Sequence, residues 1–177
     1  IKKPIYFTKE NSLEEITNKL NLDLEKTGIN LSAIYRPLNN NFLNKIMVNI
    51  RKKFICKHQI KKGIGGMKRL FSLKKNNYST ALMIDQRVSE GIRSNFFNQK
   101  ALTTTIPAQL IKRFNIPVVP IFIERISEIN FKITIKKPIY FTKENSLEEI
   151  TNKLNLDLEK MILQKPEHWI WSHNRWK

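Results

Sequence analysis

Cysteine is nearly absent from this sequence, and glycine, proline and long hydrophobic runs are scarce. The single cysteine, Cys56, excludes an internal disulfide framework and fits a reducing compartment. It lies in the apolar run Phe54–Cys56, which favours a small buried side chain over a nucleophile. No apolar run approaches the ~18–20 residues that a membrane-spanning helix needs. Five glycines and seven prolines among 177 residues argue against a disordered chain.

Acidic residues are also few. The sequence has 15 aspartates and glutamates against 32 lysines and arginines, which gives a net charge of +17. A field of this sign attracts polyanions such as nucleic acid, anionic lipid headgroups or phosphorylated substrates. Lysine, asparagine and isoleucine are all abundant, however, and an AT-rich coding bias produces the same trio. Charge alone therefore identifies no partner.

One 26-residue segment occurs twice without a change, at residues 1–26 and 135–160. Repeat architectures have diverged copies in tandem that share a core, so this is not a solenoid. The second copy continues from the segment before it into the tail, whereas the first meets unrelated sequence at Thr27. We therefore interpret residues 1–26 as a displaced duplicate and residues 27–177 as one α/β domain. Recombination, an error of sequence assembly and an accident of cloning would each produce the duplicate.

Strand and helix patterns alternate from residue 29 onward. The patterns predict strands at 29–37, 54–59, 78–86, 116–126 and 130–141, and helices at 39–54, 63–77, 103–115 and from 146 into the tail. Residues 87–102 are predicted to be a polar loop. This order indicates an α/β fold with a mixed, largely parallel sheet flanked by helices. The last two strands should form a hairpin, because their link is too short for a crossover.

The repeated segment itself reads as a strand followed by a helix. In the second copy Ser146 and Glu149 form a predicted capping box. The apolar stripe of this helix is Leu147, Ile150, Leu154 and Leu158. We expect the second copy to lie beside the 116–126 strand, because closing a local hairpin costs less loop entropy. The strand of the first copy, 3–7, is then expected at the periphery, or at an exposed edge that promotes dimerisation, with helix 13–26 in the space of a missing segment.

Three local patterns do not indicate a phosphate loop, a metal site or a membrane-interface belt. The segment GIGG at 63–66 lacks the G-x-x-x-x-G-K-[ST] pattern of a phosphate loop, so we interpret it as a helix start. His168 and His173 are five apart, which does not suit a metal pair on a helix. No metal or cofactor is expected. Trp169 and Trp176, seven apart, favour a packed terminal helix over an interfacial belt.

Four stretches together resemble one family, the lipid A biosynthesis acyltransferases. These are the lauroyl and myristoyl transferases of Gram-negative bacteria, in the glycerolipid acyltransferase superfamily. The stretches are AIYRPLNNNFLN (33–44), ALMIDQRVSEGIRSNFFNQKALTTTIPAQL (81–110), IPVVPIFIER (116–125) and PEHWIWSHNRWK (166–177). The closing pattern P-E-x-W-x-W-x-H-x-R-W-K is the most specific, and Y-R-P followed by asparagine is next. The resemblance covers roughly residues 27–177.

The resemblance implies transfer of a fatty acyl chain from acyl carrier protein to a hydroxyl of a phosphorylated disaccharide lipid, a lipid A precursor. It implies a site at the cytoplasmic face of the bacterial inner membrane, and an H-x-x-x-x-[DE] dyad about twenty residues before Y-R-P. The histidine of that dyad acts as general base. No histidine precedes Tyr35, and none of His58, His168 and His173 has an acidic residue five positions later. The chain is therefore expected to be N-terminally incomplete, to contribute no catalytic residue and to be inactive.

Four residues are substrate-binding candidates under this resemblance. Arg36 matches the arginine of Y-R-P, and a guanidinium suits the acceptor phosphate. Asp85 ends a predicted strand, where α/β sheets commonly place site residues, and Gln86 and Arg87 follow it. A surface arginine and a turn-capping carboxylate are the competing interpretations of Arg36 and Asp85.

Two other functional classes stay open. A basic nucleic-acid-binding module has the charge but no recognised motif, so nucleic acid is not expected as a partner. A non-catalytic domain that binds an anionic membrane surface would keep lipid affinity without chemistry. Positive charge clustered around Arg36, Asp85 and Arg87 favours lipid phosphate, and a long stripe elsewhere favours nucleic acid.

Overall fold

The computed structural model describes residues 5–6, 29–128 and 130–176, in two compact units. The N-terminal unit ends at Leu82, and residues 29–82 are its described part. The C-terminal unit runs from Met83 and includes strand β1, Ile5–Tyr6. Among the described residues, no helix has both the length and the apolar character that a membrane span requires.

The N-terminal unit is built on a three-stranded parallel sheet. Its elements are β2 (Asn30–Tyr35), α1 (Asn41–Phe54), β3 (His58–Lys61), α2 (Ile64–Lys75) and β4 (Tyr78–Ala81). The strand order is β3-β2-β4. A helix lies on each crossover, as parallel pairing requires. Ile60 and Leu70, each 1% exposed, form the centre of this unit.

Two strands of this unit are shorter than the sequence predicts. The strand predicted at 54–59 begins only at His58, because Phe54 is the last residue of α1. The buried strand predicted at 78–86 ends at Ala81, and none of its four residues is buried. Among the described strands, β4 ends the order β3-β2-β4 and pairs with β2 alone. The expectation that a strand end delivers Asp85 and Gln86 is therefore wrong, and both lie in the following loop.

The C-terminal unit contains a hairpin where the sequence predicts a polar loop. Its elements are β5 (Ile92–Phe96), β6 (Gln99–Thr103), α3 (Ile106–Phe114), β7 (Ile121–Ser127), β8 (Asn130–Ile135) and α4 (Leu147–Ile162). Strands β5 and β6 pair antiparallel through a turn at Phe97 and Asn98, whose φ angles are 49° and 59°. The inward side chains include Ser94, Ala101 and Thr103, which are too small or polar to produce the alternation of a strand.

Helix α4 confirms the predicted capping box. The Glu149 N–H donates to Ser146 Oγ at 3.1 Å, and the Ser146 N–H donates to the Glu149 carboxylate at 2.7 Å. The predicted stripe is buried at Ile150, Leu154 and Leu158, whereas Leu147 is exposed. A second, polar stripe of α4 holds the hairpin and consists of Asn152, Asn155 and Glu159.

The two copies of the repeat pair differently with the same hairpin. Strands β7 and β8 pair antiparallel, as predicted, and Ile139 of the second copy forms a bridge with Val118 beyond them. Strand β1 of the first copy lies on the outer edge of β8, with Ile5 opposite Ile133. This is the edge pairing that the sequence allows for the first copy. The predicted helix 13–26 lies outside the described residues.

The chain after α4 is not the continuous helix that the sequence predicts. Helix α4 ends at Ile162, and short 3₁₀ turns follow at Pro166–His168 and Trp171–His173. Pro166 disfavours a helical conformation in the residue before it, which explains the break. The tryptophans pack all the same, since the rings of Trp169 and Trp176 lie 5.7 and 5.6 Å from the Phe96 ring.

The predicted fold class is confirmed at the level of a mixed α/β protein. Parallel pairing is confined to the sheet of the N-terminal unit, and the described strands of the C-terminal unit are antiparallel. The prediction of a largely parallel sheet is therefore only partly confirmed. The reason is that the connections within both hairpins of the C-terminal unit are too short to carry a crossover helix.

Candidate basic edge of the N-terminal unit

Arg36 lies at the carboxyl edge of the parallel sheet, beside the end of the neighbouring strand. Tyr35 is in register with Lys61, and the Lys62 N–H donates to the Tyr35 carbonyl at 3.0 Å. Arg36 directly follows the last residue of β2, and Lys62 directly follows the last residue of β3. Their backbones are thus about one strand spacing apart, ~5 Å. Ligands of open α/β sheets bind at this edge.

The turn from β3 into α2 brings three glycines to the same edge. Gly63 has a φ of 128°, which side chains rarely tolerate, and it precedes the first turn of α2. A Cβ at Gly66 would collide with the carbonyl of Lys61, so this glycine lets the helix start pack closely on the strand. A Cβ at Gly65 would meet nothing within 4 Å. The backbone at Gly65 is therefore open to an approaching group.

Helix α2 begins without compensation for its positive end. No side chain caps its first turn, and no acidic residue lies there. The partial positive charge of a helix N-terminus favours an anion at this position. Residues at the helix start line a cavity of about 420 Å³ together with three basic side chains, Lys61, Lys62 and Arg69. We call Arg36 and the residues of this cavity the basic edge.

The described part of the N-terminal unit has charge of one sign. Residues 29–82 contain nine lysines and three arginines, and no aspartate or glutamate. A coding bias towards lysine raises the lysine count throughout a chain, but it does not remove carboxylates from one stretch only. Lys62 lies beside Arg36, whereas Asp85 and Arg87 belong to the C-terminal unit, so the clustering of charge around all three residues stays a prediction.

The side chains near the basic edge can bind an anion but offer little for covalent chemistry. His58 begins β3, ~10 Å along the strand from Lys61, and thus lies at the opposite edge. Burial raises the pKa of the Cys56 thiol, which keeps it protonated at neutral pH. Among residues 5–6, 29–128 and 130–176, no cluster of His, Cys, Asp and Glu could hold a metal ion.

The remaining candidates lie in the C-terminal unit and stay predictions. Asp85, Gln86 and Arg87 are in the loop between β4 and β5. The Gln86 Nε2 is 3.8 Å from Met83 Sδ. The charge of Asp85 acts on Arg175. Asp85 therefore contributes to the field around a buried cation of its own unit.

Arg175 is a residue that sequence reasoning missed. It is fully buried, its Nη2 donates to Asn155 Oδ1 at 3.0 Å, and its guanidinium lies 4.1 Å from the centre of the Phe96 ring. Burial lowers its pKa to about 10, an effect that the charges of Asp85 and Glu159 oppose. Its Nε and Nη1 atoms are buried and have no hydrogen-bond partner in the described part of the chain. The closing motif contains this arginine, but a terminal helix gives no reason to expect its burial.

The lysines and glycines of the basic edge were missed as well. A strand ending in Lys-Lys directly before G-x-G-G and a helix was the available signal. The prediction of a helix start at 63–66 is confirmed, but the sequence did not show that this start lies beside Arg36. That neighbourhood depends on the pairing of β2 with β3.

The described residues thus form a mixed α/β protein with basic side chains at the carboxyl edge of its parallel sheet. Residues 16–177 match the family described as bacterial lipid A biosynthesis acyltransferase. The chain belongs to this family, as its closing motif and Y-R-P segment indicate. No curated protein matches the chain.

Proposed function

We propose that this chain binds the phosphorylated glycolipid acceptor of a lipid A acylation reaction at its basic edge. The reaction would transfer a fatty acyl chain from acyl carrier protein to a hydroxyl of the acceptor at the cytoplasmic face of the bacterial inner membrane. Membership of the acyltransferase family supports acyl transfer. The observation that carries the acceptor assignment is the alignment of Arg36 with Lys62 beside the start of α2.

The basic edge offers a phosphate three kinds of interaction. A guanidinium such as that of Arg36 can bind two phosphate oxygens at once, and the lysines add compact charges. The open backbone at Gly65 and the uncapped start of α2 add peptide dipoles. Hydrogen bonds to charged groups contribute ~1.5–3 kcal/mol each. One such bond therefore changes the affinity for a phosphate group about tenfold or more.

We propose further that the 177 residues bind the acceptor without activating its hydroxyl. Acyl transfer to a hydroxyl needs a base that removes its proton. The sequence contains no H-x-x-x-x-[DE], and His58 stands at the opposite edge of the sheet from Arg36. The chain as printed is therefore expected to give no acyl-carrier-protein-dependent transfer, and a family-type segment with the dyad, placed before Thr27, should restore turnover. Measurable transfer by the chain alone would refute this assignment.

Binding of the acceptor headgroup can be measured without acyl chains. The probe is a phosphorylated disaccharide, compared by calorimetry with the same sugar lacking phosphate. We expect the phosphorylated sugar to bind at least about tenfold tighter, and Arg36→Ala or Lys62→Ala to remove most of that preference. Lys75→Ala is the matched control, because Lys75 is an exposed lysine at the other end of α2. Equal affinity for both sugars, or an equal loss in the control, would contradict the proposal.

A further inference from the structure

Helix α1 exposes an apolar face instead of burying it. The side chains of this face, with their exposed fractions, are Phe42 (71%), Leu43 (49%), Ile46 (42%) and Ile50 (42%). At 100° per residue they occupy a sector of about 100° on one side of the helix. No residue of α1 itself is buried. We call these four residues the apolar face of α1.

The orientation of α1 is held by specific contacts. Asn40 Oδ1 accepts the N–H groups of Phe42 and Leu43 at 3.0 and 3.1 Å, and the Leu38 N–H donates to Asn44 Oδ1 at 3.0 Å. At the other end, the Arg51 guanidinium lies 5.2 Å from the centre of the Tyr35 ring. The less exposed side of α1, which includes Met47, Val48 and Arg51, lies opposite the apolar face. The apolar face is therefore the outer side of a helix with a capped N-terminus.

The charges around this face select one kind of partner. Lys45, Lys52 and Lys53 are exposed on α1, and residues 29–82 contain no carboxylate. A second copy of the chain would bring another net charge of +17, which repels it. A nucleic acid would bind the lysines but would leave the four apolar side chains in water. An anionic lipid bilayer matches both, because its headgroups attract lysine and its hydrocarbon accepts apolar side chains.

We propose that α1 docks on the surface of an anionic phospholipid bilayer, with its apolar face inserted below the headgroups. The helix begins five residues after Arg36, so docking brings the basic edge near the same surface. The proposal names a different surface from the acceptor phosphate site. It stands if the chain performs no acyl transfer.

Vesicle cosedimentation of the full 177-residue chain tests this surface. The vesicles contain either phosphatidylcholine alone or phosphatidylcholine with 30% phosphatidylglycerol, in low and high salt. We expect binding to the anionic vesicles only, and a weakening of about tenfold or more in the double variant Phe42→Ser/Ile46→Ser. The matched control is Tyr140→Ser/Ile170→Ser, which removes two side chains that are 75% and 70% exposed in the other unit. This control should bind the anionic vesicles as the unchanged chain does.

The insertion of α1 into the bilayer can be measured separately from the affinity of the chain for vesicles. In a Cys56→Ser background, Ile46→Cys carries an environment-sensitive fluorophore, and Lys75→Cys serves as the labelled control. We expect a blue shift on anionic vesicles for the label at 46 and none at 75. Arg36→Ala should change vesicle binding less than twofold while it abolishes discrimination of the phosphorylated sugar, so failure of either proposal can be recognised separately.

Three outcomes would overturn the assignment of α1. The serine variant could bind anionic vesicles as tightly as the unchanged chain, which would make the attraction purely electrostatic. The chain could bind an RNA oligonucleotide more tightly than the vesicles, with no effect of the serine substitutions. Finally, the chain could form a dimer that the serine substitutions dissociate, which would make the apolar face a protein interface.

Discussion

Asn155 is the connecting residue of the C-terminal unit, and its replacement by leucine tests the account of that unit. The side chain is fully buried in α4. Its Nδ2 lies 3.0 Å from Ser94 Oγ, 2.9 Å from the Asn95 carbonyl oxygen and 3.2 Å from Thr103 Oγ1. Its Oδ1 accepts from Arg175 Nη2 at 3.0 Å. One side chain thus joins the hairpin, the helix and the C-terminal tail.

The loss of unfolding free energy in Asn155→Leu depends on which partners of Asn155 keep another hydrogen bond. Ser94 Oγ still donates to Asn152 Oδ1 at 2.6 Å, and Thr103 Oγ1 still accepts from Arg175. The Asn95 carbonyl loses this bond, and the buried Arg175 guanidinium keeps only its bond to Thr103 Oγ1. Unsatisfied buried groups cost ~1–3 kcal/mol each, more when charged. Leucine has a similar volume and opens no cavity, so we expect the free energy of unfolding to fall by about 3–5 kcal/mol.

Tryptophan fluorescence during urea unfolding measures this change, because all three tryptophans lie in the C-terminal unit. The expected loss lowers the urea midpoint by roughly 2 M for a unit of this size. Asn49→Leu is the control, since Asn49 is an exposed helical asparagine of the other unit and its replacement should change stability by less than about 0.5 kcal/mol. A cost below about 1 kcal/mol for Asn155→Leu, or one equal to that of the control, would refute the reasoning.

Three further predictions concern other contacts. Gly66→Ala should destabilise the N-terminal unit by about 1–3 kcal/mol, because the added methyl group meets the backbone of β3, whereas Gly65→Ala should not. Hydrogen exchange of the α2 amides compares the two variants, and equal protection in both would contradict the close packing of Gly66 on β3. Hydrogen bonds hold the pKa of Glu149 below its usual value, so its contribution is present above pH 4.5 and is lost as the pH falls through that lowered pKa. The stability difference between the unchanged chain and Glu149→Gln should shrink in acid, and a constant difference would argue against the capping box. In urea unfolding, Arg175→Ala should lower the free energy of unfolding by at least about 2 kcal/mol more than Arg175→Met does. Both variants remove a buried charge that lacks two hydrogen bonds, but only methionine fills the site. Equal losses in the two variants would show that the charge of this side chain matters more than its volume.

Capping and periodicity could be read from local sequence. The box at Ser146 and Glu149, the cap at Asn40 and the Pro107 start of α3 involve residues within one helical turn. Local hydrogen bonds and backbone restrictions decide such features, and they need no knowledge of distant parts. The family, too, was evident from linear motifs, which the match over residues 16–177 confirms.

The hairpin β5–β6 could not be read in this way. Its inward residues Ser94 and Thr103 are polar, and they are buried only because Asn155 and Arg175 supply hydrogen bonds from elements far along the chain. Hydrophobic alternation, which signals a strand, is absent when polar groups fill the inner face. The polar partners that replace it cannot be recognised from the segment alone.

Composition and patterns among residues a few positions apart were enough to predict the family, the positive charge, the mixed α/β class and most helix boundaries. The grouping of residues into a site depends instead on contacts between distant parts of the chain. Arg36 and Lys62 are 26 positions apart and meet because β2 and β3 pair in parallel. The exposure of the apolar face of α1 was also visible only in the structure, where Met47, Val48 and Arg51 occupy the less exposed side of the helix. Periodicity reveals that a helix has an apolar face, but the direction of that face depends on what the opposite side contacts.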